Sequence, residues 1–260
     1  MLAFVGLGLY DERSVTIEGR DAIREADAVF AEFYTSRLVA GTVEDLQAYH
    51  EVAIDLRDRA GVEQDPTPIL EAARDGQAAF LTAGDPTVST THVDLRLRGH
   101  DAGIETRIIH APTAQTAASG LTGLQNYRFG KATTVPFPWA HGGTGVPESV
   151  VKTIRENKAR NLHTLAYLDI KAERNELLRA SRAAGLLAEA WDPTALGVVV
   201  GRAGSPDPLV AADRLSVLTE RSFGPPPHML VLPGTLHPIE RDALEAFSDA
   251  PEDLLETLVE

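Results

Sequence analysis

The sequence predicts an α/β fold made of two α/β modules, and three observations carry that prediction. Short apolar strands run repeatedly into Gly-containing loops, each loop leads into a segment of helical spacing, and the alternation restarts after Ala111-Pro112. Strand and helix in alternation imply mostly parallel sheets, because parallel neighbours need a crossover that a helix supplies. The predicted modules are residues 1–111 and 112–260, and a chain of 260 residues suits two domains of about 130.

In the first module Leu2 to Val5 is a buried strand closed by Gly6-Leu7-Gly8-Leu9, and Ser14 to Ala26 has helical spacing. Ala28 to Glu32 reads as a second strand, Pro68 to Arg74 as a helix, and Ala78 to Thr82 as a strand feeding the turn Ala83-Gly84-Asp85-Pro86. Thr91 to Gly99 is helical in pattern, Glu105 to His110 alternates like a strand, and the small residues from Thr113 to Leu124 suit a closely packed helix. The second module opens with a strand at Lys131 to Val135 and a segment, Phe137 to Gly143, whose Pro, Gly and aromatic residues resist regular structure. A helix from Pro147 to Asn157, a strand from His163 to Leu168 and a helix from Arg174 to Ala188 follow. Strands at Leu196 to Val200 and Met229 to Leu232 and a helix from Pro238 to Phe247 complete the pattern.

Composition removes several classes of function. The chain has 24 basic and 38 acidic residues, a net charge of -14, which leaves no broad electropositive face for nucleic acid. Only Lys131, Lys152, Lys158 and Lys171 are lysines, and the acidic residues are spread along the length, a composition suited to a cytosol salty enough to screen self-repulsion. Zero cysteines exclude disulfides, thiolate metal sites and a cysteine nucleophile. No apolar run reaches the ~20 residues of a bilayer span, and Met1 to Val5 enters a Gly turn without a basic segment or cleavage site, so a cytoplasmic protein without a membrane anchor is expected.

Common motifs fail on inspection. Gly6-Leu7-Gly8 supplies two glycines of a dinucleotide fingerprint, but Asp11 occupies the third position. Gly130-Lys131-Ala132 lacks the hydroxyl residue and upstream glycine of a phosphate-binding loop, and no Gly-x-Ser-x-Gly elbow is present. The eight histidines include no His-Glu-x-x-His, so no metal is expected. His92 and Asp94 lie two apart, which on a helix points them to different faces. The remaining candidates are loops that follow predicted strands, where open α/β sheets place their ligands.

The ordered series of those loops resembles the class III tetrapyrrole methylase superfamily, in particular its diphthine-forming branch. The residues that carry the resemblance are Gly6 to Leu9, Gly84 to His92, Leu121 to Lys131, Leu168 to Lys171, Arg202 to Ser205, Pro226 to His228 and Leu232 to His237. They span nearly the whole chain, and Tyr127-Arg128-Phe129-Gly130-Lys131 and Pro226-Pro227-His228 are the blocks specific to that branch.

The resemblance implies a homodimeric two-domain S-adenosylmethionine-dependent methyltransferase with its cofactor in the cleft between the α/β domains. It implies as partner translation elongation factor 2, whose 3-amino-3-carboxypropyl-histidine is methylated on the amino nitrogen to the trimethylammonium product; eukaryotic relatives add a methyl ester. Carried over by position, the cofactor contacts fall on Leu9, Asp85, Val88, Thr113, Ala114, Leu168, Ala212 and His237. Thr113-Ala114 stands where the family has Ser-Ile, after Ala111-Pro112 in place of Gly-Val, which keeps the hydroxyl and shrinks the apolar wall. Asp169, after the strand that ends at Leu168, is a candidate proton acceptor or helix cap, and no catalytic residue is assigned. Two other readings stay open: a tetrapyrrole or corrinoid C-methyltransferase, and a non-catalytic S-adenosylmethionine-binding protein.

Overall fold

The computed structural model describes residues 1–259, whose contacts divide the chain into two compact units, Met1–Thr113 and the chain from Ala114 onward. The first unit contains β1 (Leu2–Gly6), α1 (Ile17–Arg24), β2 (Ala28–Glu32), α2 (Val43–His50) and β3 (Ile54–Arg57), then α3 (Thr67–Asp75), β4 (Ala78–Thr82), α4 (Val93–Asp101) and β5 (Thr106–Ile109). Its five strands are all parallel, in the order β3-β2-β4-β1-β5. Leu-Ala-Phe-Val-Gly in β1 and Ala-Ala-Phe-Leu-Thr in β4 are apolar nearly throughout because helices cover both faces of these central strands, and every residue of both is buried. Helices start where side chains can take up free amide groups. Thr16 accepts from the Gly19 N–H, and Thr42 and Asp45 cap each other's backbone at the start of α2.

The connection from β1 to β2 passes over β4, while that from β4 to β5 passes over β1 in the opposite direction. Right-handed crossovers therefore put α1 and α4 on opposite faces. Val5, Leu7 and Ile23 accordingly share one core, while Phe80 meets Phe4 and His92 on the other side. The neighbouring strands β1 and β4 thus form the switch point of the sheet. The patterning missed α2 and β3, which are short and polar: Asp55 and Leu56 are exposed on an edge strand, so β3 lacks the apolar signal of a central one.

The second unit runs α5 (Ala114–Thr122), β6 (Thr133–Val135), α6 (Glu148–Lys158), β7 (Thr164–Leu168), β8 (Ile170–Lys171), β9 (Glu176–Leu177) and α7 (Ala180–Ala190). It continues with β10 (Leu196–Gly201), β11 (Leu209–Arg214), α8 (Leu215–Leu218), β12 (His228–Leu232), α9 (Pro238–Ser248) and α10 (Glu252–Glu256). Its main sheet has the order β11-β10-β12-β7-β6, and only β6 and β7 pair in parallel. The expectation of mostly parallel sheets is corrected here. No helix separates β10 from β11, so the chain turns back antiparallel, and β12 inserts between β10 and β7.

One face of this sheet is packed by α6, α7 and α8 through Val150, Ile154, Ala183, Leu187 and Leu215, against Ala166, Leu168, Val199, Ala211 and Leu230. The other carries α5 and α9. Two local expectations also shift. Pro138–His141 form a short 3-10 turn inside the Pro- and Gly-rich segment, and residues 170–177 form the β8–β9 hairpin, so the helix expected from Arg174 begins at Ala180. Among the described residues no helix is long and apolar enough to cross a membrane.

Candidate active site

The loops after β1, β4 and β5 meet at the carboxyl end of the first sheet. Gly8 and Gly84, each with φ of +75°, bond to one another in both directions: the Gly8 N–H donates to the Gly84 carbonyl at 3.2 Å and the Gly84 N–H to the Gly8 carbonyl at 2.6 Å. Left-handed backbone at both positions is the reason for glycine there. Gly6 is glycine for a second reason. A Cβ at Gly6 would stand 2.6 Å from the Gly84 oxygen and 2.7 Å from the Ala111 Cβ, so a side chain would force the three loops apart. A Cβ at Gly84, by contrast, would meet nothing within 4 Å, which leaves open space over Gly84, whereas one at Gly8 would stand 2.5 Å from the Ser14 carbonyl oxygen.

Asp85 ties the loop after β4 to the loop after β5. Its Oδ1 accepts from the Thr87 N–H at 2.8 Å and the Thr87 hydroxyl at 2.5 Å, and its Oδ2 accepts from the Ala111 N–H at 3.1 Å and lies 2.7 Å from His110 Nδ1. Burial alone would push the carboxyl up, but the bonds from Thr87, His110 and Ala111 outweigh it and hold Asp85 below its ordinary range. Asp85 is therefore a fixed negative charge beneath the loop rather than a helix cap. Leu9 follows Gly8 half-buried, with its carbonyl accepting from Val39; Val88 is half-buried in the turn whose N–H returns to the Asp85 carbonyl; and Thr113 is buried two residues after Ala111. Leu9, Asp85, Val88 and Thr113 thus lie on the loops at one end of one sheet.

Behind these loops Glu32, wholly buried at the end of β2, accepts from the amide groups of Tyr34 and Thr35 and from the Thr35 hydroxyl. His92 Nε2 stands 3.4 Å from it, and Ser36 donates to the Ala83 carbonyl. Burial pushes the Glu32 carboxyl up against the opposing hydrogen bonds from Thr35 and Tyr34, and pushes the His92 imidazole down to about 4. The pair braces the β2 and β4 ends from the side away from Gly8. Asp94, exposed on α4, pairs with Arg98 and takes no part.

The sequence-derived positions of the second unit are more scattered. Ala114 opens α5, and Leu168 ends β7 with its side chain in the core shared with α6 and α7. Ala212 is wholly buried on the edge strand β11, opposite Val198, on the sheet face that carries α5 and α9. Leu168 and Ala212 point to opposite faces and lie about 17 Å apart by strand spacing. His237 is exposed at the start of α9, where its Nδ1 accepts from the Ile239 N–H and its own N–H donates to Glu240. It is the cap of that helix. Asp169 is no helix cap: its Oδ2 accepts from the Phe137 N–H at 3.1 Å and pairs with Lys171 Nζ at 3.3 Å, joining the loops after β6 and β7.

Compared with known proteins, residues 1–219 match the family described as Tetrapyrrole (Corrin/Porphyrin) Methylases. The chain is 64% identical to the diphthine synthase of Halobacterium salinarum, over 98% of its own length and all of that relative's. It is 50% identical to the diphthine synthase of Methanosphaerula palustris, with 95% of the chain and 98% of the relative covered. A crystal structure of diphthine synthase superposes with a TM-score of 0.91 at 37% identity, covering 99% of each chain. The chain belongs to the tetrapyrrole methylase family.

Within this methylase, the two blocks that marked the resemblance most specifically serve packing. Arg128 donates to the Thr235 carbonyl and lies 3.5 Å from the buried Glu240, which also accepts from the Gln125 N–H and from His163 Nε2. The amide donors and His163 hold Glu240 below its usual range against the opposing effect of burial. Tyr127, on the same block, is 77% exposed. His228 of the Pro226-Pro227-His228 block is buried, accepts from the Ala180 N–H at the start of α7, and faces the Phe223 carbonyl. Glu240 was missed because histidine is not among the usual N-cap residues, so His237-x-x-Glu240 does not read as a capping box in the sequence although it forms one. His110 and Ala111, the partners of Asp85, carried no local signal, because 25 residues and a helix separate them from the Gly-Asp-Pro turn.

Proposed function

We propose that this methylase is a diphthine synthase, an S-adenosylmethionine-dependent N-methyltransferase that trimethylates the amino group of the 3-amino-3-carboxypropyl-histidine of translation elongation factor 2. The observation that carries this reading is the 64% identity with the Halobacterium salinarum diphthine synthase along the entire relative. The first-unit loops fit the cofactor: Gly8 and Gly84 form a cradle without side chains, open space lies over Gly84, and the Asp85 carboxylate stays ionised near it. Such a charge favours a sulfonium by Coulomb attraction. Leu9, Val88, Thr113, Ala114 and His237 are proposed as further contacts, with Leu168 and Ala212, whose side chains are buried, contributing backbone groups.

S-adenosylmethionine supplies an electrophilic methyl on sulfur. The acceptor nitrogen attacks through its lone pair from ~3–3.5 Å, and the carbon–sulfur bonding pair stays with sulfur, so positioning and exclusion of water provide much of the acceleration. The amine sheds its proton to solvent before each attack, and a partly buried setting eases that loss by disfavouring the ammonium. Asp85 is not the base, since four donors already engage its oxygens.

Transfer of labelled methyl to elongation factor 2 bearing the aminocarboxypropyl-histidine, in high salt with mass analysis of the peptide, tests the reading. Three added methyls are expected. Four would indicate the ester-forming variant, and cofactor binding without transfer would overturn the acceptor assignment in favour of a tetrapyrrole substrate or a sensor. The chain is further proposed to act as a cytoplasmic homodimer, which sedimentation at working salt checks.

A further inference from the structure

The carboxyl end of β5 presents a histidine in a setting unlike that of the others. His110 Nδ1 lies 2.7 Å from Asp85 Oδ2, and the next residue, Ala111, donates its N–H to the same oxygen at 3.1 Å. The Asp85 side chain is 4% exposed and the His110 side chain 71%, so one edge of the imidazole rests on a buried acid while the rest of the ring faces water. His50, His92, His163 and His228 are buried, and His237 caps α9. His100 stands beside Asp101 with both side chains exposed, and His141 is exposed on the turn after β6.

An ionised carboxylate can only accept hydrogen bonds, so the hydrogen shared by Asp85 and His110 sits on Nδ1. The neutral imidazole is thereby fixed as one tautomer, with its lone pair on Nε2 at the exposed side of the ring. A buried acid, an Nδ1–H and a free Nε2 make up the arrangement that prepares a histidine to take a proton from a reacting group and that steadies the imidazolium once it has done so. Every part of it belongs to the first unit, on the loops assigned to the cofactor. Asp85 directly follows Gly84, over which space is open, and Ala111 stands against Gly6.

We propose that His110, oriented by Asp85, is the general base that takes the proton from the acceptor amine and passes it to solvent. The inference rests on the functional reading above, because the attacking nitrogen must stand ~3–3.5 Å from the methyl carbon and the methyl donor is assigned to the loops that His110 borders. The proton of the ammonium moves to Nε2, and the electron pair of that N–H bond stays on nitrogen as its lone pair. The imidazolium, held beside the Asp85 carboxylate, releases the proton to water from its exposed edge. The nitrogen lone pair then forms the new bond to carbon as the carbon–sulfur pair stays with sulfur. Each methyl added costs the acceptor one proton, and the trimethylammonium product has no N–H left for His110 to take.

The test compares the unaltered protein with His110→Asn and His110→Ala in single-turnover methyl transfer to the modified elongation factor. Asparagine can still donate an N–H to Asp85 but has no basic nitrogen. His110→Asn is therefore expected to slow transfer by about 100-fold or more, with the melting temperature and the calorimetric cofactor affinity unchanged. Added imidazole should restore part of the rate to His110→Ala, where the missing ring leaves room for it. Nitrogen NMR of the labelled ring should show the Nδ1–H tautomer for His110 before any substrate is added. An undiminished rate in His110→Asn, no rescue of His110→Ala by imidazole, or a ring protonated on Nε2 alone overturns the base and leaves the functional reading standing. Absence of transfer by the unaltered protein overturns both together, so the two failures are distinguishable.

Discussion

Both oxygens of Asp85 are committed to holding the loops after β4 and β5, which makes the side chain a structural and an electrostatic element at once. Asp85→Asn keeps the size but replaces an acceptor oxygen with a donor, so it cannot accept from both Thr87 and Ala111. We expect a loss of about 1–3 kcal/mol in stability and at least tenfold weaker cofactor binding, read by thermal melting and calorimetric titration. Because the folded carboxyl titrates below its ordinary value, its contribution is complete above that value and disappears as pH falls through the folded one. His50 gives a second pH signature. It is 1% exposed with neither ring nitrogen hydrogen-bonded, and burial, with Arg24 and Arg20 adding to it, pushes it down to about 4. Between its ordinary 6.5 and that value the unfolded chain binds the proton and the folded chain does not, so stability falls as pH is lowered through this window, by on the order of 3 kcal/mol. His50→Leu should flatten that part of the stability–pH curve without destabilising at pH 7; an unchanged slope would refute the assignment. At this scale the sequence displayed Asp85 and His237 in recognisable turns, but their duties depend on groups brought from elsewhere. No local pattern connects Asp85 with His110, or reveals that Asp169 would hold Phe137.

Strand ends and turns reveal why some elements were visible and others were not. The central strands β1 and β4 are uninterrupted apolar runs followed by glycine, a pattern that survives any tertiary context. The edge elements β3 and β11 mix charged and apolar residues, since one side meets water, and the β8–β9 hairpin is only two residues per strand, too short to show a period. Parallel pairing in the second unit was inferred from alternation alone. The missing helix between β10 and β11 was the available clue against it. Gly6→Ala tests the meeting of the β1, β4 and β5 ends, because its Cβ must displace the Gly84 carbonyl or Ala111. The expected result is about 1–3 kcal/mol of destabilisation together with weakened cofactor binding. Gly84→Ala, facing open space, should suffer only the cost of left-handed backbone, about 1–2 kcal/mol, when melted alongside. In the second unit Glu240→Gln should lower the melting temperature, since the buried carboxylate has Gln125, His237, His163 and Arg128 as partners, while cofactor affinity measured directly reports whether His237 depends on that cap.

For the whole molecule the decisive quantity is the net charge of -14. At molar salt the screening length is ~3 Å and at 0.1 M it is ~10 Å, so repulsion among surface carboxylates extends much farther in dilute buffer. Dialysis from molar salt into dilute buffer should therefore lower the melting temperature by several degrees, and an unchanged value would count against a salt-adapted surface. The α/β class was legible because it depends on repeated patterns. Strand order was not, because it depends on which distant segments find each other. That order also bears on how the chain is made. Translation produces β1 before either of its neighbours, β4 and β5, at residues 78–82 and 106–109. A nascent polypeptide thus carries an apolar, wholly buried-to-be segment with neither neighbour until β4 has left the ribosome, and with one side open until β5 follows. The earliest strand of this sheet is among the last to be sealed, and during that interval it needs shelter from its neighbours on the polysome.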